Sequence, residues 1–240
     1  MTITAASVYK RALGAGVTQH AHQFQSLVMC SQERLVYRVI RGLPQGSRCL
    51  DWGCGNGHLE FAMNGMNVKA FSLDGTTALT PMDRLATGSH HTRLPYPDSS
   101  FDVVLAVGVL EHVHERDGSQ RGSLEELRRI LRPGGEIHVF HLPNKWSWLE
   151  ASTRIAWKLG RTKQEPHSKL FSREDFLSCV PSGLEVVDGT RYHIIPRRFF
   201  SNLTIRDSEK FCAVVDTADD VLAFLLPWLC QNWYFKLARS

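Results

Sequence analysis

The sequence predicts an α/β chain built on a mostly parallel sheet. Strand-like and helix-like patterns alternate from Arg48 to His141, which is the signature of strands joined by helical crossovers. Phe101–Val107 is a strongly apolar, β-branched run of the kind buried on both faces of a sheet. The chain has 240 residues, 43% of them hydrophobic and 22% charged, the balance of a globular protein with one sizeable core. A disordered tail, a collagen-like fibre and a small disulfide scaffold are excluded. The longest apolar runs, Val103–Leu110 and Val221–Cys230, fall short of the ~20 residues needed to span a bilayer.

Ala21–Leu43 has helical spacing, with Phe24, Leu27, Val28, Leu35, Val39 and Leu43 at three- and four-residue steps, and Pro44-Gln45-Gly46 stops it. A strand at Arg48–Trp52 runs into glycines. Leu59–Asn64 reads as a helix, Asn67–Leu73 as a strand, Phe101–Val107 as the next strand and Ser123–Leu131 as a helix. Pro133-Gly134-Gly135 ends that helix and Glu136–His141 is a further strand. Trp146–Leu159 is aromatic-rich and helical. Ser172 is an N-cap with Glu174 and Asp175 in the first turn behind it. Leu184–Val187 and Arg191–Ile195 read as strands, Asp219–Trp228 as a greasy helix broken at Pro227, and Asn232–Ala238 as a last strand that closes the sheet.

The net charge of +4 is too weak to argue for nucleic acid. Met1–Gly16 has no continuous apolar core, so no secretory signal is expected and a cytoplasmic location is. The six cysteines include no C-x-x-C pair; they read as reduced thiols packed like small hydrophobes, and no metal site is expected.

Leu50-Asp51-Trp52-Gly53-Cys54-Gly55-Asn56-Gly57 carries the chemistry. A strand enters alternate glycines and then a helix, so backbone can approach a ligand with no side chain in the way. The dinucleotide fingerprint G-x-G-x-x-G does not fit, because His58 stands where its third glycine would be. Asp51 suits a cationic ligand better than a pyrophosphate. Asp51–Gly57 resembles motif I of the class I S-adenosylmethionine-dependent methyltransferases. Leu94–Val104, Leu110-Glu111-His112-Val113 and Leu131-Arg132-Pro133-Gly134-Gly135 resemble the blocks that follow it in that family, most closely in its branch acting on small molecules and quinone or lipid precursors.

The resemblance implies a Rossmann-like, doubly wound, seven-stranded sheet with helices on both faces and a helical insertion or lid in the C-terminal half. It implies one methyltransferase domain over 1–240: an N-terminal helical segment at 1–47, a cofactor-binding core at 48–144, and acceptor-side insertions with the last strands at 145–240. The cofactor is expected to be S-adenosylmethionine, with S-adenosylhomocysteine as product. Asp51, Gly53, Cys54, Gly55 and Gly57 would surround its methionine part and ribose. Asp74, at the end of the second strand, would hold the ribose hydroxyls, although alignment on Val68 puts Ser72 there instead. The family's usual adenine-contacting acid is missing from Gly88-Ser89-His90-His91-Thr92-Arg93, so adenine would meet His91 and backbone near Leu94. Val107 and Gly108 would line the crevice at the end of the fourth strand.

A hydroxyl acceptor needs its proton removed, and histidine suits neutral pH. His112, His141 and His167 are the candidates. The His112-x-His114 pair lacks a carboxylate pattern that would make it a metal site. Asn144–Leu170 combines Trp146, Trp148 and Trp157 with Arg154, Lys158, Arg161, Lys163 and Lys169, and a second basic stretch holds Arg191, Arg197, Arg198 and Arg206. They read as a solvated cationic face over an aromatic core, or as a cover for an anionic acceptor with an apolar or ring part. Leu222–Trp228 reads as core, with a peripheral membrane or dimer contact as the alternative. The expected reaction is methyl transfer to a small-molecule hydroxyl on a glycan, lipid-linked sugar, quinone precursor or secondary metabolite. A nucleic-acid methyltransferase fits less well, because an Asn/Asp-Pro-Pro-aromatic tetrad does not follow the fourth strand, where Val107-Gly108-Val109-Leu110 stands. A non-catalytic cofactor-binding partner subunit is the third reading.

Overall fold

The computed structural model describes residues 3–18, 21–63, 65–72, 85–88 and 92–240. Its strands are β1 (Arg48–Trp52), β2 (Asn67–Ser72), β3 (Leu85–Thr87), β4 (Phe101–Val107), β5 (Leu131–Pro143), β6 (Leu184–Tyr192) and β7 (Asn232–Arg239). Its α-helices are α1 (Ala5–Gly14), α2 (Leu27–Cys30), α3 (Arg34–Gly42), α4 (Gln120–Ile130), α5 (Trp148–Lys158), α6 (Arg173–Leu177) and α7 (Glu209–Leu225). The strands form one seven-stranded sheet in the order β3-β2-β1-β4-β5-β7-β6. β1 to β5 pair in parallel, and β7 runs antiparallel to both β5 and β6. The sheet is therefore mostly parallel and Rossmann-like, as expected.

Alternation along the buried strands divides the core into two layers. Val104 and Ala106 of β4 face one layer with Leu50, Trp52, Leu124 and Phe176; Val103 and Leu105 face the other with Tyr37, Ile40, Leu59 and Phe140. α4 and α6 cover the first face, and α1 to α3 cover the second.

Several elements differ from the sequence reading. The helix expected over Ala21–Leu43 is broken into 3₁₀ turns at His22–Phe24 and Ser31–Glu33 around the short α2 and α3. Ser26 caps α2 by accepting the Met29 N–H at 3.3 Å, and Glu33 is buried where the chain turns into α3. Where a helix is expected over Leu59–Asn64, the described residues form a 3₁₀ turn at His58–Phe61, and Asn64 lies outside them. The strands expected at Leu184–Val187 and Arg191–Ile195 are one, β6, because β7 pairs along its whole length from Leu184 to Tyr192. β7 does not close an edge: it lies between β5 and β6. α7 begins ten residues before the expected Asp219, with Ser208 as its N-cap.

Leu222–Trp228 is not core. Phe224 is 83% exposed and Leu225 and Trp228 are more than half exposed, because α7 docks through the face that carries Cys212, Val215 and Asp219. Asp219, fully buried, accepts the N–H groups of Ile194 and Ile195 at 2.8 and 2.7 Å and pairs with Arg34 and Arg197. Arg197, expected on a solvated face, is 1% exposed between Asp216 and Asp219. Among the described residues no helix is long and apolar enough to cross a membrane.

Candidate functional site

The parallel strands deliver their C-terminal ends to one rim of the sheet, where an open α/β sheet binds ligands. At the end of β1 the chain makes a turn held to β2 by the Gly53 and Cys54 N–H groups, which both donate to the Phe71 carbonyl at 2.9 and 3.0 Å. Gly53, Gly55 and Gly57 have φ of 74°, 50° and 76°, the left-handed region that glycine enters at little cost. The glycines do different work. A Cβ on Gly53 would stand 2.4 Å from Val109 Cγ2, so this glycine lets the β1 turn pack against the exit of β4. Among the described residues, a Cβ on Gly55 would meet nothing nearer than the Gly53 carbonyl at 4.0 Å, so they leave space above Gly55 for a ligand.

Asp51 is 5% exposed, and burial, with the Glu60 charge as a smaller cause, pushes its carboxyl up to about 7. A cation beside it would restore the carboxylate. The open cradle over Gly55 and a buried acid in want of positive charge fit a sulfonium-bearing cofactor. Cys54 is buried in the same turn, and Val107 and the exposed Gly108 end β4 beside it. Ser72 is the last residue of β2 and buried. Asp74 and His91 lie outside the described residues. Leu94 is buried in the core, and its N–H donates to Glu126 Oε1 at 2.6 Å.

Past β4, Gly108 (φ 66°) turns the chain so that Glu111 lies beneath the rim; a Cβ on Gly108 would be 3.8 Å from Glu111 Oε1. Glu111 is 4% exposed, and its Oε2 has no hydrogen-bond partner among the described residues. Burial raises its pKa. His112 and His167 stand over it with ring centroids 5.8 Å apart. His112 Nδ1 meets Glu115 Oε1 at 3.0 Å, and His167 Nδ1 meets Glu150 Oε1 at 2.6 Å. The Glu150 contact raises the pKa of His167, against its partial burial. His167 arrives here because α5 holds its backbone: Arg154 Nη2 donates to the His167 carbonyl at 3.2 Å, and the His167 N–H donates to Glu150 Oε2 at 3.4 Å.

His141, the third candidate, ends β5 with φ 58°, a strained backbone for a non-glycine residue. Both its ring nitrogens are engaged. Nε2 pairs with Glu33 Oε2 at 2.9 Å, and Nδ1 lies 3.2 Å from the Tyr192 hydroxyl and 3.4 Å from Asn232 Nδ2. Burial opposes the charged form of both groups, but the charge and hydrogen bond of Glu33, helped by Glu111, raise the pKa of His141 overall, and His141 lowers that of Glu33. The pair is an internal ion pair bracing the N-terminal helices to the sheet. Glu111, Glu115, Glu150 and Glu33 were not among the sequence candidates. The adjacency of Glu111 to His112 was the one local signal.

The insertion is less of a free cationic surface than its composition suggests. Trp148 Nε1 donates to the Ile194 carbonyl at 2.9 Å, and Lys169 reaches Gln120 at 2.6 Å. Trp146 and Trp157 remain exposed.

The family described as "Methyltransferase domain" matches residues 50–139, from β1 to β5. The chain is 32% identical over 145 residues to the 27-O-demethylrifamycin SV methyltransferase of Amycolatopsis mediterranei, covering 53% of this chain and 52% of that protein. It thus spans about half the length of that relative. It is 31% identical over 157 residues to the "Putative methyltransferase" of Encephalitozoon cuniculi, covering 58% of this chain and 70% of that protein. In fold it is similar to a solved structure from Thermotoga maritima titled as a SAM-dependent methyltransferase, possible histamine N-methyltransferase, with TM-score 0.57, 15% identity and coverage of 97% and 99% of the two chains. Sequence and fold agree, and the chain belongs to the class I S-adenosylmethionine-dependent methyltransferases.

Proposed function

We propose that this protein methylates a hydroxyl group of a small-molecule acceptor that carries a ring or other apolar part. The single observation that carries the reading is the Glu111–His112–His167 cluster, set just past the glycine turn at the end of β4. S-adenosylmethionine, when bound, supplies a methyl already activated on sulfur, so a carbon–oxygen bond forms as the carbon–sulfur bond breaks. The chain's own task is to hold the acceptor in line and deal with its proton. In this reading the buried Asp51 would meet the positive charge of the cofactor, and the space over Gly55 would take the ligand. The cluster at Glu111, His112 and His167 would, in the same reading, take up the proton that the acceptor oxygen loses. His141, with contacts on both nitrogens, is given the role of holding the N-terminal helices to the sheet. The rifamycin relative's name, a methyltransferase of 27-O-demethylrifamycin SV, supports an oxygen acceptor here.

The test is transfer of labelled methyl from S-adenosylmethionine to a panel of hydroxylated aromatic and macrocyclic compounds, each paired with its O-blocked analogue, with structured RNA as a further substrate. Label in the free hydroxyl compounds and none in the blocked ones is expected. Label in RNA with none in the small molecules overturns the reading.

A further inference from the structure

We propose that Glu111, His112 and His167 bind a divalent transition-metal ion of the zinc class at the exit of β4. One potential ligand atom from each residue lies within 4.8 Å of the others. His112 Nε2 is 3.9 Å from Glu111 Oε1. Two imidazoles and one carboxylate are the donor set of open metal sites that keep a position for a substrate or water.

Two further features point to an ion. The first is Glu111 Oε2, which has no hydrogen-bond partner among the described residues. The residue is 4% exposed, and a buried carboxylate oxygen without a partner is costly unless something positive meets it. The second is the arrangement behind the rings. Histidines that bind metal usually present their other nitrogen to a carboxylate, which fixes the tautomer and turns the free nitrogen to the ion. Both rings here do so: Nδ1 of His112 meets Glu115 and Nδ1 of His167 meets Glu150, at 3.0 and 2.6 Å, which leaves Nε2 of each ring for the ion. A histidine pair stacked only for packing needs neither carboxylate. Neighbouring ligands of a tetrahedral ion with ~2.0–2.1 Å bonds stand about 3.4 Å apart, so the cluster closes slightly on binding. His112, whose side chain is 47% exposed, has room to make that movement.

At this position an ion would polarise an acceptor oxygen and ease loss of its proton to water. That role rests on the proposed function; ion binding itself does not, and the experiment separates them. The chelator-treated full chain is titrated with zinc, and separately with manganese, by calorimetry, with bound metal counted after dialysis. One zinc ion per chain is expected. Glu111→Gln and His167→Ala should each weaken zinc binding at least 100-fold. Glu150→Gln should weaken it about tenfold, as loss of an outer carboxylate does. His138→Ala is the control, since its ring meets Tyr234 and Glu136 and no member of the cluster, and should leave zinc binding unchanged. S-adenosylhomocysteine affinity within about twofold of the parent certifies each variant as folded. If Glu111→Gln fails that check, His167→Ala decides. No stoichiometric zinc, or zinc held equally well after Glu111→Gln and His167→Ala, overturns the proposal. Zinc binding without methylation of any hydroxyl compound would keep the ion site and remove the acceptor reading.

Discussion

Asp51 is the residue whose chemistry the fold changes most. An aspartate in water ionises far below neutral pH, but burial brings this one up to about 7. A cationic cofactor favours the carboxylate, so its binding to the protonated form must release a proton. Affinity for S-adenosylmethionine should therefore rise with pH to about 7 and then level off. Below that it should fall by up to about tenfold per pH unit. Asp51→Asn should weaken binding and flatten the profile. Calorimetry at several pH values checks this, and an unchanged slope in the Asn variant would assign the titration to another group. The glycines beside it were legible as a ligand-binding turn from their spacing alone. Their division of labour was not, because Gly53 is required by Val109, which lies far away in sequence.

Among the elements, α5 shows how an insertion with no buried residue can still shape a site. Its Glu150 and Arg154 both reach His167, and its Trp148 ties the start of the helix to Ile194. Trp148→Ala combined with Arg154→Ala should free the segment that carries His167. The expected result is a fall in kcat or a rise in KM for the acceptor of about tenfold or more, with cofactor affinity within about twofold. Steady-state kinetics and calorimetry on the double variant measure both. A collapse of cofactor affinity with unchanged acceptor kinetics would mean that α5 serves the cofactor. The tryptophans and cations of this stretch marked it in the sequence as an acceptor-side element. Arg154 instead spends its guanidinium on the His167 carbonyl, a contact that no local spacing reveals.

Across the whole molecule, the N-terminal helices, the sheet and α7 are joined by one buried ionic knot. Asp219 is fully buried and meets Arg34, Arg197 and two backbone N–H groups. Removing one member of a buried pair leaves its partner uncompensated, a loss of about 3–5 kcal/mol. Asp219→Ala should lose about that much in denaturant unfolding. Lys10→Ala, which breaks an exposed pair with Glu209, should change stability by at most about 1 kcal/mol. Equal effects from the two would show that the knot contributes no more than a surface contact.

The sequence by itself determined the alternation of strands and helices, the apolar β4, the glycine turn after β1 and the acid that enters it. These features are local: each depends on the period of a short segment or on the φ its residues tolerate. The tertiary structure decided the rest. It placed β7 inside the sheet by pairing it on both sides, and it broke the long N-terminal helix so that Glu33 could reach His141. It buried Arg197 against α7, and it carried His167 from the insertion to Glu111 and His112. Each of these joins groups that are distant along the chain. Their energies come from desolvation, ion pairing and strand pairing between separate segments, and a reading of one segment at a time holds no record of which other segment will stand against it.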